Sequence, residues 1–424
     1  MAKPNLALIP AAQGTKLYSV LPSDGSGDFD YTRGSSATRI NAQGLIESVA
    51  NTSSRLNYPL LDGKVVGCPH HLLEPQRTNL LTHSEDFSGY SSTNLNIISN
   101  QNISPSGVLN GTFLRPTTTN GGHQIYKNTS LTAGTNTLSV FIKAGNYSKF
   151  RLYFYDGTTA HEVYGDSLNG TIHSTNSTVK VESYGNDWYR YSVTATNAST
   201  SVGNYTIRVT NESYQDNWAA NGVDGLYIFG LQFEAGSYPT SYIKSSGSAT
   251  TRLAETATGS GSAATFNDSE GCLMAEISAL ANDGTFRSLT ISDGTVTNRV
   301  MFSYLSTSNS LRAYIRNASG EVFSFTSGVT DSTTMVKTAI KYKENDFQFW
   351  VNGIKVGTDT SGTTFSSNTL DNLMFDKGDG GDKFYGKTKQ VQYFDTALTD
   401  TQLEELTSWD SFSDMAEGQL YTIE

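Results

Sequence analysis

The sequence predicts an all-β protein: an extended N-terminal anchoring region, two antiparallel β-sandwiches of the jelly-roll kind, and one short C-terminal helix. Three observations carry this. Charged residues make up only 16% of the 424, against roughly 25% in ordinary soluble proteins, and Ser, Thr, Asn and Gly fill the gap. The 23 tyrosines and 20 phenylalanines suit pleated, half-buried surfaces. Short alternating apolar runs bounded by turn residues recur beyond residue 85.

The region 1–85 comes first. Its stretch from 31 to 81 has neither helical nor strand periodicity but carries Arg33, Arg39, Arg55 and Arg77. A segment that cannot bury itself must order against something else, so these arginines read as an assembly anchor, pairing with carboxylates or carbonyls of neighbouring chains. In the first sandwich, 86–246, the run FRLYFYDG sets Phe150, Leu152 and Phe154 on one face and Arg151, Tyr153 and Tyr155 on the other. Gly230 interrupts another strand and marks a bulge, and Trp188 reads as core. Residues 247–265, rich in Ser, Gly, Thr and Ala, read as a linker. The second sandwich, 266–408, contains Asn352-Gly353, a two-residue hairpin turn. Near its end Thr399 and Gln402 make a capping box, with Leu398 and Leu403 as a hydrophobic staple, so a helix should lie across a sheet there. The tail 409–424 reads as either a docked strand or a frayed end.

Composition also excludes. A net charge of −11 and a pI near 5.1 repel a phosphate backbone, so nucleic acid is not an expected partner. The charge is uneven: residues 1–85 hold seven Lys or Arg and seven Asp or Glu, so the excess lies on the rest. Cys68 and Cys272 fall in different modules, which argues against a disulfide framework. No apolar run reaches the ~20 residues needed to span a bilayer, and the start, broken by Pro4 and Pro10, is poor as a signal peptide.

Candidate chemistry is sparse. Cys68, His70, His71 and Glu74 lack the two spaced pairs of a zinc site and read as a surface loop. Asp376, Asp379 and Asp382 sit in a Gly-rich loop whose carboxylates suit calcium, the only cofactor the sequence suggests. No closely spaced carboxylate strand, nucleophile elbow or phosphate loop marks an enzyme. Sugar binding asks for aromatic rings beside amides and carboxylates. Trp218 with Tyr214, Asp216 and Asn217 fits, as do Trp350 with Gln348, and Tyr153 with Tyr155, by strand alternation.

The run TRGSSATRIN…GLIESV…LNYP…CPHHLLEPQRTNLL…SEDF, residues 28 to 87, resembles the N-terminal region of bacteriophage virion proteins of the tail- or head-fibre kind. NDWYRYSVT and LQFEAGSYPTSYI resemble carbohydrate-binding jelly-roll modules, and residues 266–408, with FWVNGIKVG and ALTDTQLEEL, resemble concanavalin A-like, laminin-G-type sandwiches. The resemblance implies a non-enzymatic virion subunit, assembled in the bacterial cytoplasm with other virion proteins. It also implies a homotrimer displaying glycan-binding sandwiches for host attachment. A polysaccharide-degrading enzyme and a purely structural spacer are the alternatives.

Overall fold

The computed structural model describes residues 3–410 and is 53% strand and 2% helical, an all-β fold with a single helix among the described residues. In the first sandwich, one sheet runs in the order Ser91–Thr93, Gly121–Leu131, Ser201–Val209, Lys149–Tyr155, Ala160–Asp166, Thr171–Thr175, with Asn217–Trp218 paired to the second of these. Six further strands, from Leu95–Ile103 to Thr178–Tyr184, form the opposing sheet. Phe150, Leu152, Phe154, Val140, Ile207 and Phe233 meet in the core between them. The register shift between Ser139 and Phe141 lies opposite Gly230, whose φ of +62° confirms the expected bulge. Trp188 is fully buried.

The second sandwich is larger than its sequence signal. A five-stranded sheet, Gly320–Gly328 to Asn372–Met374, faces an 11-stranded one, and the latter recruits the N-terminal region. The free edge of strand Gly386–Phe394 pairs along one half with His70–Leu73 and along the other with Leu6–Gln13. Strands Lys16–Leu21, Phe29–Thr32 and Thr256–Thr258 then continue the sheet. Leu6, Leu8, Leu17, Phe29, Tyr31 and Leu73 accordingly share one core with Leu273, Phe302, Ile340 and Tyr393. The hairpin Ala37–Ile40 and Ile46–Val49 turns instead to the first sandwich, where Ile46 packs with Phe141, Trp188 and Tyr242.

The N-terminal region is therefore not a free-standing extended arm. Its aperiodicity has a physical source: most of its strands are two to four residues long, too short to show alternation, and each borrows partners from a distant part of the chain. The expected linker is ordered as well. Thr250–Arg252 pairs with Arg77–Asn79, and Thr256–Thr258 pairs with Phe29–Thr32.

Where these segments meet lies a buried charge cluster. Glu255 accepts from Arg33 Nη1 at 2.7 Å and from Arg55 Nε at 2.8 Å, and it also contacts Arg55 Nη2 and the Tyr31 hydroxyl. Glu74 lies 2.8 Å from Arg55 Nη2 and 2.6 Å from Arg252 Nη1. The Ser241 amide and hydroxyl donate to Glu74 at 2.8 and 2.6 Å. All five charged side chains are at most 4% exposed. The excess guanidinium donors reach the carbonyls of Ala50, Thr38 and Pro75. Burial alone would raise the Glu74 carboxyl, but the guanidiniums of Arg252 and Arg55 override it and hold it at about 2. This corrects the anchor reading for Arg33 and Arg55, whose carboxylate partners lie within their own chain. Arg39 pairs with Glu47 in a part-exposed position, and the Arg77 guanidinium stacks over Tyr238 at 5.4 Å.

The run Cys68 to Glu74 is not a surface loop throughout, because His70–Leu73 is a fully buried strand. The helix Asp400–Thr407 has both capping-box hydrogen bonds, and Leu398, Leu403 and Leu406 pack on Trp350 and Met274. Asn352 and Gly353 have φ of +47° and +80°, as a primed hairpin turn requires. Cys68 is exposed and Cys272 buried, both free. The tail after Asp410 lies outside the described residues.

Arg55→Met leaves Glu74 and Glu255 short of a buried counter-charge and should cost about 3–5 kcal/mol in urea denaturation; a loss under about 1 kcal/mol would contradict the cluster's role. Burial holds the His71 imidazole down at about 4, although Nε2 faces the Ile9 carbonyl at 3.3 Å. Burial and the Lys387 ammonium also keep His70 well below its usual value. Such a group stays neutral in the fold but protonates in the unfolded chain below about 6.5. Its stabilisation is thus complete above that pH and fades as pH falls towards 4, by on the order of 2 kcal/mol for His71 at pH 5. Glu74 adds its own loss only below about 4.5. The melting temperature should fall between pH 7 and 5, and less so in His71→Gln; a flat profile would contradict this.

Candidate glycan-binding face

The outer face of the first sandwich's seven-stranded sheet gathers several of the expected residues. Alternation along Lys149–Tyr155 buries Phe150, Leu152 and Phe154 completely and turns Arg151, Tyr153 and Tyr155 outward, as the sequence predicts. Antiparallel register then builds three rows across four strands. Gln124, Arg208, Arg151 and Tyr164 form one; Tyr126, Thr206, Tyr153 and Glu162 the next; Asn128, Asn204 and Tyr155 the third. Cross-strand neighbours of this kind stand about 5 Å apart. The tyrosines of these rows are half-buried, neither sealed in the core nor free of the sheet.

Charge is placed and largely neutralised within the face. Asp216, from the loop after strand Ser201–Val209, reaches between Arg151 Nη1 and Arg208 Nη1, both 2.7 Å away, and accepts from the Tyr164 hydroxyl at 3.3 Å. Its Oδ1 has no hydrogen-bond partner. Arg151 Nε donates to Glu162 at 2.6 Å and Arg208 Nε to Gln124 at 2.9 Å. The Arg151 guanidinium lies 4.5 Å from the Tyr153 ring centroid. Burial would weaken the Arg151 charge, yet Glu162 and Asp216 raise its pKa further. The result is a fixed lattice of donors and acceptors between aromatic rings, the chemistry by which pyranose hydroxyls and faces are held.

The other candidates are distributed differently. Trp218 is half-buried: its ring meets His123 and Tyr147 edge-on at 5.2 and 5.0 Å, and its Nε1 donates to Val209 at 3.4 Å, so it forms a wall of the sandwich. Tyr214, at φ +58°, stacks on His173 at 3.9 Å beside the face. Asn217 is exposed on the short strand Asn217–Trp218. Trp350 and Gln348 are corrected outright. They are 5% and 6% exposed, Trp350 Nε1 donates to Gln348 at 2.8 Å, and Gln348 donates to Asp400 at 3.0 Å. Alternation identifies a side of a sheet, not what covers it, and here the helix Asp400–Thr407 does.

The acidic loop also differs from expectation. Asp376 is buried, and its Oδ1 accepts from the Gly378 amide at 2.7 Å and the Gly380 amide at 3.3 Å. Lys377 Nζ lies 4.0 Å from Asp379 and 3.8 Å from Asp382, so an ammonium occupies the space between carboxylates. Among the described residues no group of three His, Cys, Asp or Glu is arranged to hold a metal ion. Arg208, Gln124, Tyr126, Tyr164 and Glu162 are face residues that the sequence reading missed; their only signal was strand alternation, which is uninformative without register.

Trp350→Ala tests the corrected assignment. It should destabilise the protein by about 3–5 kcal/mol in urea denaturation, because it empties the space beneath the helix. An unchanged midpoint would return Trp350 to the list of surface residues.

The family described as the Concanavalin A-like lectin/glucanases superfamily matches residues 245–404. No curated protein matches the sequence. Among solved structures, the CBM40 of the Ruminococcus gnavus IT-sialidase bound to alpha2,3 sialyllactose is 16% identical, covering 35% of this chain and 92% of that one at a TM-score of 0.30. Domains LG4-5 of the mouse laminin alpha1 chain are 11% identical, covering 81% and 96% at a TM-score of 0.23. The Trypanosoma rangeli sialidase in complex with sialic acid is 10% identical, covering 74% and 62% at a TM-score of 0.29. The family match falls on the C-terminal sandwich, whose fold is similar to the concanavalin A-like, laminin-G-type kind.

Proposed function

We propose that this chain is a structural subunit of a bacteriophage particle, a tail- or head-fibre or decoration protein, that attaches to surface glycans through the outer face of its first sandwich. The observation that carries the binding reading is the three-row face, where Tyr126, Tyr153 and Tyr155 stand half-buried beside Gln124, Asn204, Arg151, Arg208 and Asp216. The lectin-type family match of the second sandwich supports the same class of activity. The particle reading rests on the resemblance of residues 28 to 87, within which Arg39 keeps a part-exposed position. A weak, open face is adequate for such a role. Linking several copies in an oligomer, a homotrimer in this reading, raises effective affinity by ~100-fold or more without new contacts.

Glycan arrays probed with the purified protein should give positive spots without release of reducing ends. Tyr153→Ala with Tyr155→Ala should weaken the best hit by about tenfold or more, equivalent to about 1.4 kcal/mol, while the melting temperature changes little. Silent arrays, or hits indifferent to both tyrosines, would overturn the binding reading; reducing-end release would replace it with an enzyme. Mass spectrometry of purified virions lacking this chain's peptides would overturn the particle reading alone.

A further inference from the structure

The N-terminal region, the first sandwich and the second enclose a cleft of about 680 Å³, within the range of small-ligand sites. It is separate from the sheet face above and does not depend on it. One wall comes from the strand Thr178–Tyr184 with Tyr189 and Arg190, another from residues 57–62, and the floor includes Lys387 of strand Gly386–Phe394.

Its charges are unusual for so acidic a chain. Arg39 is committed to Glu47, and Glu74 to Arg55 and Arg252. Lys180, Arg190 and Lys387 then outnumber Asp62 and Glu182 among the lining residues. Lys180 and Glu182 pair at 2.8 Å. The Lys387 ammonium makes no hydrogen bond or ion pair to any described residue, while its backbone pairs with Ser278 and Leu72. Burial, then the Lys180 ammonium, push Lys387 down to about 8, outweighing the carboxylates of Glu182, Glu74 and Asp331. Arg190 is 3% exposed, and while Nη1 and Nη2 bond the Thr240 carbonyl and Ser139, its Nε has no partner. Five tyrosines, Tyr58, Tyr184, Tyr189, Tyr238 and Tyr242, share the lining with the amides of Asn57 and Asn169. A half-buried ammonium and a buried guanidinium with unused donors, set among aromatic rings and amides, are complementary to a sugar that carries an acid.

We propose that this cleft binds a carboxylate-bearing saccharide, its carboxylate beside the Lys387 ammonium and its rings among the tyrosines. Uronic acids and sialic acids share that chemistry, and the cleft has room for a short oligosaccharide of either kind.

Isothermal titration calorimetry on the full chain with trigalacturonate, its methyl ester and 3′-sialyllactose tests this. At least one acidic sugar should bind, and which one binds identifies the source of the acid. The ester should bind about tenfold or more weakly than its acid. Lys387→Met should lose about as much affinity for the acidic ligand, with Lys387→Arg restoring most of it. Should Lys387→Met fail to fold, Asn169→Trp, at an exposed rim position, should block the cleft instead. No binding of either acidic sugar to the wild type, equal affinity for acid and ester, or full affinity in a folded Lys387→Met would overturn the assignment. So would acid binding that is lost in Tyr153→Ala yet kept in Lys387→Met, because it would place the ligand on the sheet face.

Discussion

Five buried charges hold this molecule's parts in register. Taking each from water costs several kcal/mol, so Arg33, Arg55, Arg252, Glu74 and Glu255 can share one interior site only if every charge meets an opposite one and the remaining donors find carbonyls. They come from the N-terminal region and from the segment between the sandwiches, while Ser241, at the end of the first sandwich, bridges them by donating to Glu74 and accepting from Arg55 and Arg252. Any arrangement that left out one of these segments would strand a charge in the interior. The cluster thus selects a single docking of the N-terminal strands on both sandwiches, and hydrophobic burial of Leu6, Leu8, Phe29 and Leu73 then stabilises that docking.

This constraint also decides where binding surfaces can lie. By pulling the N-terminal region back across both sandwiches, it encloses the cleft around Lys387 and Tyr189. The region's strands take up the free edge of Gly386–Phe394, an edge that would otherwise be exposed for pairing with other chains. On the second sandwich the sheet around Trp350 is closed by the helix Asp400–Thr407. The seven-stranded sheet of the first sandwich keeps its rows of tyrosines, guanidiniums and amides half-open, so a polar and aromatic face falls there. The stretch from 28 to 87 acquires a structural meaning at the same time: Arg33, Arg55 and Glu74, all within it, build the cluster that orders the chain.

What was legible in the sequence was local. Phe150, Leu152 and Phe154 declare their face by alternation, Asn352-Gly353 declares a turn by its backbone preference, and Thr399 with Gln402 declares a helix start, because each signal lies within a few residues of its effect. The cluster was illegible for the opposite reason. Arg33 and Glu255 are separated by 222 positions, and nothing near either residue reveals the other, so unpaired arginines in an aperiodic stretch looked like contacts for another chain. The binding face lay between these extremes. Tyr153 and Tyr155 were readable from their own strand, but Arg208, Tyr126 and Gln124 join them only through register across strands far apart in sequence.

Residues 3–85 fold as part of the sandwiches rather than as an arm awaiting a partner. Native-state hydrogen exchange on the isolated chain tests it most directly. The amides of Leu6, Leu8 and His71–Leu73 should exchange as slowly as those of their partner strand Gly386–Phe394, since one cooperative unit opens together. Fast exchange across the N-terminal strands, with the sandwiches still protected, would contradict the account and restore the free anchor.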